Sequence, residues 1–353
     1  MNDKVRKGRL KAAGLVLLIL AVSLAAIGIF ELAASHRASK LEYLQTGERW
    51  SGGRSRYAVI NAYTEESEGV SADQLLQWEY SMNSALTEAA VETDEKAKAW
   101  TWCASFGTVV TAEGPKGTQN AETTVCAGDF FVFHPFDFTY GSGFSTDGLN
   151  PMGVVLDSDL AWKLFGAENI VGMTLTVGGL EYTVTGVYEP ESDRGLYAKT
   201  YGDVPRMYMS SPGYAKIAEC SFTAYETALP DPVKSFARNI FDTVVTLNGD
   251  RSEIIEVTSR FTLRSRYDNM KKLGWSWMRV NRIGFPFWEN EARVYDYRSA
   301  EAMIWEIVCA SVGGAALLTA IVLVVTSGYS PVTSVKNAFA KAAQLRKKRK
   351  NNT

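Results

Sequence analysis

Residues 152–190 read MGVVLDSDLAWKLFGAENIVGMTLTVGGLEYTVTGVYEP, and their pattern fixes both the kind and the order of the elements they form. Met173, Leu175 and Val177 alternate on one face, Gly178-Gly179 supplies a turn, and Leu180, Tyr182 and Val184 alternate on the return. This is a β-hairpin in which 177 faces 180 and 175 faces 182. Just upstream, Asp157 or Ser158 caps a short helix, DLAWKLF, that stops at Gly166. An apolar run, Val154-Val155-Leu156, precedes that helix. The stretch is therefore β-rich with one helix between its strands.

Outward from it, residues 130–144 read FFVFHPFDFTYGSGF. So dense an aromatic run packs a core, the alternative being a binding surface. Further out, the same order of elements occurs on both sides. Residues 57–64 read as a strand, Ser71 with Gln74 opens a helix through the S-x-x-Q capping pattern, and Leu75, Met82, Leu86 and Ala89 give that helix one buried face. A strand over 100–112 follows. Late in the chain, 221–229 reads as a strand, Asp231 caps a helix with Pro232 at its first position, Phe236, Ile240 and Val244 form its apolar stripe, and 253–261 reads as a second strand. Two β-α-β units flank the middle, as in two halves of one α+β unit interrupted by an insertion at about 128–215.

At the two ends of the chain lie two apolar runs of a different kind. Ala12 to Phe30 and Ile307 to Val325 are each nineteen residues without a charge. At ~1.5 Å per residue each covers roughly the 30 Å hydrocarbon core of a bilayer. Both read as transmembrane helices, over 12–34 and 303–327. The first exceeds the apolar core of about 7–15 residues usual in a cleaved signal peptide and ends in no A-x-A site.

The chain of 353 residues is 46% apolar and 22% charged, the balance of a folded protein, and its formal charge of −2 averages unlike parts. Residues 1–11 carry five basic side chains, residues 336–353 carry seven against no acidic one, and between 35 and 302 there are 36 acidic and 25 basic residues, a net of −11. The positive-inside rule puts the basic tails, 1–11 and 328–353, in the cytoplasm and 35–302 outside the plasma membrane. Both tails adjoin membrane helices, where anionic lipid headgroups attract lysine and arginine by about 1 kcal/mol each. Membrane lipid is the partner expected of them, and nucleic acid is not. In the second tail Val335, Phe339 and Ala342 fall at roughly helical spacing beside the lysines, which suits the inner membrane surface or contact with a cytoplasmic ATPase. In the second apolar run Ala310, Gly313 and Gly314 would let another helix approach closely.

Of four cysteines, Cys309 falls in the second apolar run and three lie in the outer part. TWCASFGTVVTA and ETTVCAGDFFVF are β-prone and separated by EGPKG. A hairpin centred near Gly114 and Pro115 would set Cys103 opposite Cys126, as a cross-strand disulfide needs. The alternative is three buried free thiols.

Catalytic signatures are scarce. There are two histidines, His36 and His134, no H-E-x-x-H, no paired C-x-x-C, no G-x-S-x-G and no G-x-x-x-x-G-K-[ST]. No cofactor, metal or catalytic residue is expected, and the protein is expected not to be an enzyme.

The ordered run Asp129-Phe130-Phe131, Gly141 to Phe144, Val154-Val155-Leu156, Leu164-Phe165-Gly166, Val171-Gly172, Gly178-Gly179 and Val184 to Val187 resembles the periplasmic core domain of MacB-type ABC transporter permeases. The leading helix, the outer domain and the second helix extend the likeness to residues 12–325. The resemblance implies an α+β outer domain with a porter-like split β-α-β subdomain and an inserted β-rich subdomain. It also implies a non-catalytic role in export or mechanotransmission, with an ABC ATPase subunit and a permease, or a second copy of the chain, as partners. Permeases of that family continue through two further membrane helices, whereas this chain stops at Thr353, so it resembles half a permease. The other expectation is a stand-alone membrane-anchored surface binding or sensor protein without an ATPase partner.

Overall fold

The computed structural model describes residues 3–39, 41–53, 55–89, 98–145, 150–190, 201–273 and 282–327. In chain order its α-helices are α1 (Asp3–Ala38), α2 (Thr46–Ser51), α3 (Ala72–Glu88), α4 (Phe130–Phe133), α5 (Ser158–Phe165), α6 (Ser211–Tyr214), α7 (Phe236–Val244), α8 (Leu263–Lys271) and α9 (Phe287–Thr326). The strands are β1 (Tyr57–Thr64), β2 (Thr101–Gly114), β3 (Gly117–Gly128), β4 (Phe138–Gly141), β5 (Gly153–Asp157), β6 (Thr174–Val177), β7 (Leu180–Tyr188), β8 (Arg206–Ser210), β9 (Ala224–Pro230) and β10 (Ser252–Glu256). The chain divides into two compact units, one of residues 1–34 with 300–353, the other of residues 35–299.

In the larger unit all these strands join one sheet, ordered β10-β1-β9-β2-β3-β8-β5-β7-β4, with β6 bonded to β2 and β7. Its first four strands are antiparallel neighbours, and they come from β1-α3-β2 and β9-α7-β10. That is the split β-α-β order expected from the sequence. The strands inserted between β2 and β9 do not form a separate layer. They extend the same sheet, because β3 bonds β2 on one edge and, in parallel, β8 on the other.

The sheet alternates cleanly between two faces. Ile60, Ala62, Ala104, Val125, Tyr225 and Leu229 face a core closed by Leu75, Trp78, Met82 and Leu86 of α3, Leu160 and Leu164 of α5, and Phe241 of α7. Val59, Cys103, Cys126, Val155, Tyr208 and Ala228 face the other way, under Leu41, Tyr43, Phe130, Phe133, Trp288 and Tyr295. Of the aromatic run after β3, Phe130, Phe133 and Phe144 are core on this second face, Phe131, Phe136 and Phe138 are partly buried against it, and Tyr140 is exposed.

Local signals are realised with some shifts. Ser71 Oγ accepts the Gln74 amide and starts α3, but Ala89 is exposed and Trp78 completes the buried stripe. Asp157 is the cap of α5, accepting the Leu160 amide at 2.7 Å. Leu175 pairs with Tyr182 and Val177 with Leu180, and Gly178 and Gly179 turn at φ 57° and 78°, the left-handed pair that a two-residue hairpin requires. Asp231 does not begin α7 itself. The helix starts at Phe236, and Asp231 reaches forward to accept the Ala237 amide at 3.2 Å while pairing with Arg56.

The smaller unit is a pair of long helical segments from α1 and α9, both long and apolar enough to cross a membrane. The less exposed positions recur at alternating steps of three and four: Ala13, Val16, Leu20, Ser23, Ile27, Phe30 and Ala34 on α1, and Ala302, Glu306, Cys309, Gly313, Ala316, Ala320 and Leu323 on α9, with Ser327 just beyond its end. A 3.5-residue repeat on both partners is a coiled-coil seam. The helices run antiparallel, since Arg9 Nη1 donates to the Thr326 carbonyl at 2.7 Å while Gly313 lies against Ser23 and Leu20. A Cβ at Gly313 would stand 3.2 Å from Ser23 Cβ, whereas one at Gly314 meets nothing within 4 Å. The small-residue stripe therefore splits: Gly313 is used within the chain, and Ala310 and Gly314 lie on the exposed side. Residues 328–353, with Val335, Phe339 and Ala342, lie outside the described residues.

Candidate functional site

Four strands place Asn61, Glu226, Cys103 and Gly128 in one row across the sheet, Asn61 opposite Glu226, Glu226 opposite Cys103, and Cys103 opposite Gly128. All three side chains point to the face covered by α4 and the start of α9, and Glu226 is 1% exposed. A carboxylate so buried is tolerable only when its lone pairs are filled. Oε1 accepts from Asn61 Nδ2 at 3.0 Å, Tyr63 Oη at 3.2 Å and Trp288 Nε1 at 3.2 Å. Oε2 meets His134 Nε2 at 2.5 Å and the Cys103 thiol at 3.4 Å. Burial alone would raise the Glu226 pKa, but His134 and these donors outweigh it and hold the carboxyl below the usual range. Burial and the neighbouring Glu226 charge push the Cys103 thiol the opposite way, well above its usual value.

Trp288 and Tyr63 connect this centre to a second. Tyr63 Oη also lies 3.4 Å from Glu289 Oε2. Glu289 receives Arg260 in a bidentate fork, and Arg260 further donates to Asp296 and to Tyr43 Oη. Burial works against the Arg260 charge, yet Glu289 and its companions more than compensate, keeping the guanidinium charged. Tyr43 also donates to Glu289 at 3.3 Å. The segment following α1 and the first turn of α9 are thus clasped at one polar node. Beside it, a cavity of about 420 Å³ is lined by Ser105, Glu122, Arg206, Phe285, Phe287 and Trp288, among others.

The expected cysteine pairing does not match the register. The hairpin turns at Pro115-Lys116, with Gly114 opposite Gly117, so Cys126 faces Ser105 and both thiols are free. The centre lies one residue beyond the expected one, which displaces the partner of Cys103 by two positions. Of the residues now clustered, the sequence had singled out Cys103 for a disulfide and had given His134 no catalytic or metal-binding role. Glu226 and Glu289 carried no motif; the one available sign was an acidic residue inside the otherwise apolar strand AYETALP.

The sequence profile of the MacB-like periplasmic core domain matches residues 15–252. No curated protein sequence matches the chain. Among solved structures, the periplasmic region of MacB from Actinobacillus actinomycetemcomitans is similar at 13% identity and a TM-score of 0.39, over 57% of this chain and 89% of that one. The extracellular domain of the noncanonic ABC-type transporter YknZ from Gram-positive bacteria is similar at 14% identity and a TM-score of 0.36, over 56% of this chain and 99% of that one. The family rests on the profile match and not on these superpositions. Spanning two thirds of the sequence and including every strand of the split β-α-β unit up to the start of β10, that match shows that the chain belongs to the family of the MacB-like periplasmic core domain.

Proposed function

We propose that this protein is a non-catalytic membrane component of an ABC-type export or mechanotransmission assembly, in which movement of α1 and α9 is coupled to the outer domain. In this reading both helices cross the plasma membrane, both basic ends lie in the cytoplasm, and residues 35–302 stand outside. The observation that carries it is the clasp at Tyr43, Arg260 and Glu289, where the chain just past α1 and the first turn of α9 meet within the domain. A side-chain tie between the two connections makes them move as one. An ABC ATPase subunit, with a permease or a second copy of this chain, supplies the movement.

Two measurements test it. Tags at residues 2 and 353 should be protected from protease in intact cells while sites within 35–302 are cleaved, and an exposed C-terminal tag overturns the topology. Crosslinking in native membranes should then capture an ATPase or permease. A monomer without neighbours would favour a stand-alone surface binding protein.

A further inference from the structure

We propose that Cys103, His134 and Glu226 form a binding site for one zinc ion. Cys103 Sγ, His134 Nε2 and a Glu226 carboxylate oxygen lie within 4.8 Å of one another, and all three side chains are buried. They are the three ligand types of zinc proteins, and they come from separate elements: β2, the residue after α4, and β9. Two of them are opposed strand residues, so the backbone holds them in place.

The surroundings are divided as a metal site requires. Asn61, Tyr63 and Trp288 occupy Oε1 of Glu226 and leave Oε2 turned towards His134 and Cys103. Outer donors on one carboxylate oxygen fix the other as a monodentate ligand. Asn61 Oδ1, in the same row, is a buried acceptor with no hydrogen-bond partner among the described residues. Charge also balances. A thiolate and a carboxylate neutralise a divalent ion, and His134 ligates as the neutral imidazole, with the displaced protons released to solvent.

Zinc–ligand lengths call for donor separations of roughly 3.3–3.7 Å. The Cys103–Glu226 distance of 3.4 Å meets this, and His134, within 4.8 Å of Cys103, has to move off Glu226 by roughly 1 Å from its present 2.5 Å and towards the thiol. Three protein ligands leave one coordination position for water, the arrangement of an exchangeable site. Trp288, whose indole N–H donates to Glu226, also lines the neighbouring cavity.

The test uses the full-length protein in detergent, stripped with chelator and titrated with Co²⁺ as a spectroscopic stand-in. The expected result is a thiolate-to-cobalt charge-transfer absorption with intense tetrahedral d–d bands, saturating at one ion per chain and bleached by Zn²⁺. Cys103→Ser should abolish the charge-transfer absorption and Cys220→Ser should keep it. His134→Gln should weaken affinity by at least the 10–100-fold that loss of an outer-shell group costs. Charge transfer that never develops in the wild type, or that persists in Cys103→Ser, overturns the proposal. Should a variant fail to fold, X-ray absorption of the zinc-loaded wild type decides: one sulfur with light donors supports the site, and an all-oxygen or all-sulfur shell overturns it.

Discussion

Arg260 and Glu289 meet fork to fork, Nη1 to Oε2 and Nη2 to Oε1 at 2.8 Å each, with the arginine side chain 4% and the glutamate 0% exposed. Parallel hydrogen bonds between planar charged groups are the strongest form of such a pair, but removing one partner strands the other in a low-dielectric interior. Arg260→Met should therefore destabilise the larger unit by about 3–5 kcal/mol. Arg260→Met with Glu289→Met should recover only part of that loss, because Asp296 and Arg293 still lose a partner each. Urea unfolding followed by tryptophan fluorescence reads both, and a double variant no more stable than the single one would contradict this.

Asp157 gives the domain a specific pH response. Burial, opposed by hydrogen bonds from the Leu160 and Arg206 amides and Tyr201, raises its pKa from 3.8 to about 6. Because the folded pKa lies above the unfolded one, the native state binds the extra proton between these values, and this contribution to stability falls as pH rises from about 4 to about 6. Asp157→Asn removes the titration. Relative to that variant, the wild type should lose about 3 kcal/mol across the interval. Parallel stability profiles for the two proteins would contradict this.

Substitution at the two adjacent glycines of α9 should have opposite outcomes. Gly313→Leu drives a side chain into Ser23 and Leu20, whereas Gly314→Leu enters open space. Crosslinking of an Arg9→Cys, Thr326→Cys pair, whose parent residues are hydrogen-bonded, should be efficient with Gly314→Leu and lost with Gly313→Leu. Any effect of Gly314→Leu on co-purifying membrane proteins would then report a partner on the outer side of α9.

With Cys103 and Cys126 on neighbouring strands but out of register and both free, non-reducing peptide mapping should recover no linked peptide between them. Four thiols should titrate after unfolding. A 103–126 linked peptide from freshly prepared protein would require a different hairpin register.

Where periodicity and a turn coincide within a dozen residues, as at Met173 to Val184, the sequence specifies strand pairing down to the residue. The split β-α-β order was legible from strand-like runs flanking two helices with apolar stripes, although the second helix starts at Phe236 and not at Asp231. The start of α9 at Phe287 was not legible. Its buried side includes Glu289, Glu291 and Ser299, so apolar spacing does not mark the face that packs. The site around Glu226 was hidden differently: its ligand-like neighbours His134 and Cys103 are 92 and 123 residues away. No local pattern can join groups that only the sheet register brings together.

The uninterrupted sheet has a mechanical meaning. Since β3 is hydrogen-bonded along both edges, to β2 and to β8, the split β-α-β strands and the inserted strands share one backbone lattice from β10 to β4. Bending between them would mean breaking a ladder, not turning a loop. The two sets of strands in the larger unit are therefore joined through a shared strand and not through a loop hinge.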